Sequence, residues 1–175
     1  MLYTIKKGAH YPTPNDFAFH RGISSLNKSI TFNSNCIYNF GNNDDNDINK
    51  GYGFTTDLFG KNSVRIGWNI FSAKTGVQSL KLWGYVHVNG KRVQPTPGFS
   101  KEHMIGKYFS CDFPIECSVY IENGFAYFKA SQGSYKGELP IVKIPFPKSA
   151  GMGYYQYPYF GGTSSCPHVM NIDLI

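Results

Sequence analysis

Two stretches of the chain alternate apolar residues with residues that could hold a sugar acid. In 63–71, Arg65 and Asn69 alternate with Val64, Ile66, Trp68 and Ile70. In 79–88, Lys81, Trp83, Tyr85 and His87 alternate with Leu80, Leu82, Val86 and Val88. Residues two apart on a strand share a face, so each stretch predicts one apolar face and one aromatic-polar face. In 124–130, Tyr127 and Lys129 oppose Ala126, Phe128 and Ala130 in the same way. If these strands are neighbours, Arg65, Asn69, Trp83, Tyr85, His87, Tyr127 and Lys129 share one sheet surface. Rings stack on the apolar faces of sugars, and Arg, Asn and His hydrogen-bond hydroxyls or carboxylates. Covered by a loop or a neighbouring subunit, the same residues would instead form an interface, since interfaces also favour aromatics.

Three further groupings invite a chemical reading. Asp44, Asp45 and Asp47 crowd an Asn-rich loop, GNNDDNDINKG, and offer hard oxygen ligands for Ca²⁺. The loop lacks EF-hand spacing, and Asn and Asp are also ordinary turn residues. Cys166 and His168 are two apart and flank Pro167. They read either as a nucleophile pair or as a packed thiol beside a hydrogen-bonded strand-end histidine. The closing YPYFGGTSSCPH reads first as the connection between the last two strands, because Gly161-Gly162 turn the backbone at no Cβ cost. Tyr159 and His168 at its rim are candidate contacts for a sugar or a partner. No pattern calls for a cofactor.

The elements that would position these groups are strands. Of 175 residues, 13 are Tyr and 14 Phe, which suit a pleated surface, and 19 Gly and 10 Pro supply turns. Tracts of strong helix formers are absent. Strands are predicted near 2–6, 16–21, 28–38, 51–58, 63–71, 79–88, 91–94, 107–112, 115–121, 124–130, 140–145, 153–159 and 167–174. Asn89-Gly90 and Asn123-Gly124 predict two-residue hairpins. The segments 41–51 and 94–102 predict loops, the second because two prolines remove ladder donors. Short strands separated by turns, with one clean apolar face each, give an all-β fold: an antiparallel two-sheet β-sandwich of jelly-roll or concanavalin-like form, in a single domain over 1–175.

The formal net charge is +6, and no basic run exceeds two residues. Nucleic-acid faces need clustered charge, so no nucleic-acid partner is expected. Neither a signal peptide nor a bilayer-length apolar run is visible, so no membrane partner is expected either. The four cysteines, Cys36, Cys111, Cys117 and Cys166, lack zinc-knuckle spacing and read as buried thiols.

Two resemblances add to this. Arg65 in SVRIGWN, His87 in YVHV and Tyr135 in YFKASQGSY follow an order similar to motifs of alginate-lyase-like polysaccharide lyases. Those are jelly-roll enzymes that use Tyr and His for proton abstraction beside a neutralised uronate carboxylate. The chain departs from them: Tyr85 stands where the family has Gln, and Ser131 where it has Gly. Separately, YTIKKGAHY, DINKGYGF…KNSVRIGW, VNGKR and PYFGG…PHVMNIDLI resemble a family of small proteins from tailed phages of gut Bacteroidota. That resemblance implies a non-enzymatic virion-associated accessory protein, on the capsid or the tail, whose partners are other virion proteins or further copies of itself. A carbohydrate-binding lectin-like module with glycan partners is the alternative, and a lyase the third reading.

Overall fold

Period-two alternation becomes two stacked antiparallel sheets in the computed structural model, which describes residues 1–72, 78–95, 97, 101–133 and 140–175. In chain order the strands are β1 (Leu2–Ile5), β2 (Pro12–Thr13), β3 (Phe19–Arg21), β4 (Ser25–Phe32), β5 (Asn49–Thr55), β6 (Ser63–Ser72) and β7 (Gln78–Val88). They continue with β8 (Lys91–Arg92), β9 (Met104–Phe109), β10 (Ile115–Glu122), β11 (Phe125–Gln132), β12 (Val142–Pro145), β13 (Met152–Gln156) and β14 (Met170–Leu174). The back sheet runs β12-β11-β10-β4-β14-β1-β2. The front sheet runs β3-β13-β5-β6-β7-β8, with β9 also paired to β7. The fold is the expected two-sheet antiparallel β-sandwich.

The core lies between the apolar faces. Phe54, Val64, Ile66, Trp68, Leu80, Leu82 and Val86 point inward from the front sheet, against Ile30, Phe32, Ile115, Val119, Phe128, Ile144 and Ile172 from the back. Each side chain buried in full contributes about 1.5–3 kcal/mol. The back sheet packs closely on β7 at Gly84. A Cβ there would lie 2.7 Å from Phe128 and 2.8 Å from Ile144. The missing side chain is therefore what lets both residues reach the front sheet.

Both Asn-Gly hairpins form. Asn89 and Gly90 have φ of 54° and 79°, Asn123 and Gly124 of 49° and 78°, the positive pair that a type I′ turn needs. Other boundaries move. The strand expected at 28–38 starts earlier, at Ser25, and gives way to a 3₁₀ turn at Ser34–Cys36. Its outward residues Ser25, Asn27 and Ser29 are polar, which hid its start. β2 was not expected; Thr13 and Pro12 pair with Thr4 and Ile5 at the sheet edge, where a proline is tolerated. The last strand begins at Met170 rather than at Pro167. The alternation expected through 153–159 ends with β13 at Gln156. Tyr157 then stacks on Tyr3 at 5.3 Å, Tyr159 bridges to Lys50, and Phe160 enters the core. Cys36, Cys117 and Cys166 are buried free thiols, and Cys111 is free and half-buried.

Gly84→Ala should destabilise the fold by about 1–3 kcal/mol, the usual cost of overpacking, read as a lower urea midpoint at unchanged slope.

Candidate functional site

The outer face of the front sheet collects most of the predicted groups, and the strand register explains why. Ser63 pairs with His87, Arg65 with Tyr85, Gly67 with Trp83 and Asn69 with Lys81. Lys50 pairs with Gly67 on the other side of β6, and Arg92 pairs with His87 across the hairpin. Arg65, Asn69, Trp83, Tyr85 and His87 therefore do share one surface. Tyr127 and Lys129 do not. β11 lies in the back sheet, so they clad the opposite side of the molecule. Tyr127 stacks on Tyr120 at 4.8 Å, and Lys129 lies over Tyr120 at 5.5 Å.

Arg65 is the centre of this surface. One Nη donates to the Tyr157 carbonyl at 2.9 Å, and its Nε is buried without a partner. Burial pushes its pKa down to about 10, against the opposing pull of the Tyr85, Tyr154, Tyr159 and Tyr11 hydroxyls. Its neighbour on β5 has to be glycine: a Cβ at Gly53 would lie 2.0 Å from the Val64 carbonyl and 2.9 Å from Arg65 Cγ. Gln156 lines the same hollow and has a buried, unpartnered Oε1. Both unpaired atoms belong to residues that line this hollow, and an unpaired buried polar atom is costly.

Lys50 is the functional group that the sequence reading missed. Its Nζ donates to the Gly161 carbonyl at 2.7 Å and sits 5.1 Å and 5.2 Å from the ring centres of Tyr85 and Tyr159. Burial, then Arg65 and Arg92, lower its pKa to about 8, with Asp47 opposing. The PYFGG stretch builds this position. Gly161 donates to Asn49 Oδ1, and its φ of 119° favours glycine; a Cβ at Gly162 would collide with the Asp47 carboxylate. Tyr159, a predicted contact, therefore belongs to the site. His168 does not: its Nε2 donates to the Asn35 carbonyl at 2.8 Å, on the far side of the closing loop.

Tyr85 is buried, with Arg92 stacked 4.9 Å and His87 5.2 Å from its ring. Burial and the charges of Arg65, Lys50 and Arg92 hold His87 below its ordinary pKa. Asn69 serves the site indirectly. Its Oδ1 accepts from Trp83 Nε1 at 2.8 Å and its Nδ2 donates to the Asn46 carbonyl at 3.2 Å, so it fixes the indole and is not free to bind sugar.

Two hollows lie on this face, one on the Lys50 side and one on the Trp83 side of Gly67. One, of about 440 Å³, is bounded by Arg65, Lys50, Tyr154, Tyr159 and the 15–17 segment. The other, of about 590 Å³, is bounded by Trp83, Phe71, Lys81, Arg92, Lys101 and Lys107. They share no lining residue, and each is lined by cations. A third space, of about 340 Å³ between the sheets, is mainly apolar and has Lys28 as its one charged side chain, so it lacks this grouping.

The remaining candidates are structural in character. The Asp45 carboxylate accepts from the Phe40 and Gly41 amides, Asp44 accepts from Ser164, and Asp47 faces Gly162. Their carboxylates are thus spent on the loop and its neighbour. Among the described residues no group of three or more His, Cys, Asp and Glu side chains could hold a metal ion. Cys166 Sγ donates to the His168 carbonyl at 2.9 Å, and burial raises its pKa to about 11, the opposite of an activated thiol. Tyr135 lies outside the described residues.

No family model and no curated protein matches the chain. Solved structures do. The structure of alginate lyase Aly36B has a TM-score of 0.53 at 12% identity, covering 98% of this chain and 76% of that one. A functionally unknown protein from Saccharomyces cerevisiae has 0.47 at 12%, covering 91% and 72%. The carbohydrate-binding module CBM66 from Bacillus subtilis has 0.41 at 9%, covering 98% and 81%. At these identities the likeness concerns the fold, and the chain is a β-sandwich of the kind that the alginate lyase Aly36B also adopts.

Proposed function

We propose that these two hollows act as one groove along the front sheet and bind an acidic polysaccharide through its uronate carboxylates. The observation that carries this reading is the placement of Arg65 and Lys50. They are neighbouring half-buried cations whose hydrogen bonds go to backbone carbonyls, and burial, joined at Lys50 by the charges of Arg65 and Arg92, lowers their pKa values. A uronate supplies that countercharge. Arg65 takes it with the planar fork that suits a carboxylate. Trp83 offers a ring face to the sugars, and Lys81, Lys101 and Lys107 meet further acid groups along the chain. Arg65→Met should weaken binding to oligogalacturonate or oligomannuronate by about tenfold or more in calorimetry. Affinity should also fall as salt rises, and as pH rises through about 8 and Lys50 loses its proton. Equal affinity of the variant and the parent chain would remove the basis of the reading.

A second reading follows from the same lysine. A neutral amine with a pKa of about 8 is a usable general base. With Arg65 neutralising the carboxylate, Lys50 would take the proton from C5 of the uronate. The C4–C5 double bond then forms, the C4–O bond breaks, and a tyrosine hydroxyl, that of Tyr159, protonates the departing oxygen. Lyase activity would give unsaturated-uronate absorbance, and kcat/KM should rise with pH to a plateau above about 8, the opposite sign to binding. A polyuronate that binds without any gain in absorbance leaves the chain a binding module.

The virion-associated role concerns where the chain works, and we keep it as a separate proposal. Mass spectrometry of purified particles should find the protein; its absence there would end that reading.

A further inference from the structure

We propose that the end of the groove beside β3 and β13 is a subsite for a neutral sugar, so that the ligand is a heteropolysaccharide in which uncharged residues adjoin uronates. This rests on the acidic-polysaccharide reading of the same groove. The charge of the groove is one-sided. Its middle carries Arg65 and Lys50, and its β9 end carries Lys81, Lys101 and Lys107. Among the residues lining the β13 hollow, the one carboxylate is that of Asp16. Asp16 Oδ2 accepts a bond of 3.3 Å from the Tyr3 hydroxyl, which leaves Oδ1 for a ligand. A carboxylate here repels a uronate and accepts hydroxyl protons from a neutral sugar.

The aromatic groups at this end fit the same ligand. Phe17 and Phe19 are 62% and 65% exposed, in edge contact at 4.8 Å, and Phe17 lies 4.9 Å from Tyr154. Tyr154 is held in place: its hydroxyl packs so closely on Gly60 that a Cβ there would be 2.3 Å away. Scattered exposed apolar residues need no explanation, whereas rings in mutual contact form a patch. This patch continues the wall of the groove, because Phe17 and Tyr154 line the same hollow as Arg65. An uncharged pyranose stacked on Phe17, with a hydroxyl on Asp16, uses both features. A uronate at that position would bring two carboxylates together.

The test is calorimetry of the whole chain at about pH 6, where Lys50 is protonated, with oligosaccharides of equal length. Alternating polymers (hyaluronan and the rhamnogalacturonan backbone) are compared with oligogalacturonate and oligomannuronate. At least one alternating polymer should bind about tenfold more tightly than the homopolymers. Asp16→Asn should erase that preference by tightening homopolymer binding as the repulsion goes, and Phe17→Ala should erase it by weakening the alternating chains while leaving homopolymer affinity within about twofold. Homopolymers bound as tightly as both alternating chains, or variants that weaken both classes equally, would overturn the subsite. Failure of every glycan to bind would overturn the reading of the groove itself.

Discussion

Two cations without acidic partners set the character of this molecule. Arg65 and Lys50 stand side by side on the outer face of the front sheet, and each has a single backbone carbonyl as its hydrogen-bond partner. Charges removed from water are expensive unless paired. Much of the nearby structure serves to hold them there. Gly53 leaves room for the arginine side chain, the Gly161 carbonyl receives the lysine, and Tyr85, Tyr154 and Tyr159 surround both with polarisable rings and hydroxyls. A fold optimised for stability alone would place apolar residues or an ion pair there. An unfilled charge beside an open hollow is what the proposed anionic ligand would complete.

The sandwich positions this pair through register more than through loops. β6 lies in the middle of the front sheet, so Arg65 has partners on both sides, Gly53 and Tyr85. The inward faces of the same strands fill the core, which locks the outward faces in place. The likeness to the alginate lyase Aly36B extends over nearly the whole chain as fold and very little as sequence. Function must therefore be argued from the residues on the groove, since one scaffold hosts many activities.

Much of this was legible in the sequence, and the rest was hidden for identifiable reasons. Alternation sorted Arg65, Asn69, Trp83, Tyr85 and His87 onto one face correctly, because period two survives wherever one face must be buried. It could not say which strands are neighbours, so Tyr127 and Lys129 were grouped with a sheet to which they do not belong. Arg92 was within reach: a two-residue turn at Asn89-Gly90 places it opposite His87 by counting. Lys50 was not, because it adjoins a register shift between Lys50 and Gly53 that breaks the alternation on β5. The hydrogen bonds of Asn69 and His168 were also beyond sequence, since their partners, Asn46 and Asn35, lie in loops. The PYFGG stretch proved more than a turn, for it places Tyr159 and the carbonyl that holds Lys50.

The central claim is that Lys50 and Arg65 await a carboxylate. The most direct measurement is an NMR titration of the Lys50 ammonium, in the free protein and with saturating acidic oligosaccharide. The account predicts a pKa of about 8 in the free protein. It predicts a rise toward the ordinary lysine value when the ligand is bound, because a neighbouring anion favours the charged form. A free value already near that of an exposed lysine, or a lowered value that the bound acid leaves unchanged, would contradict it.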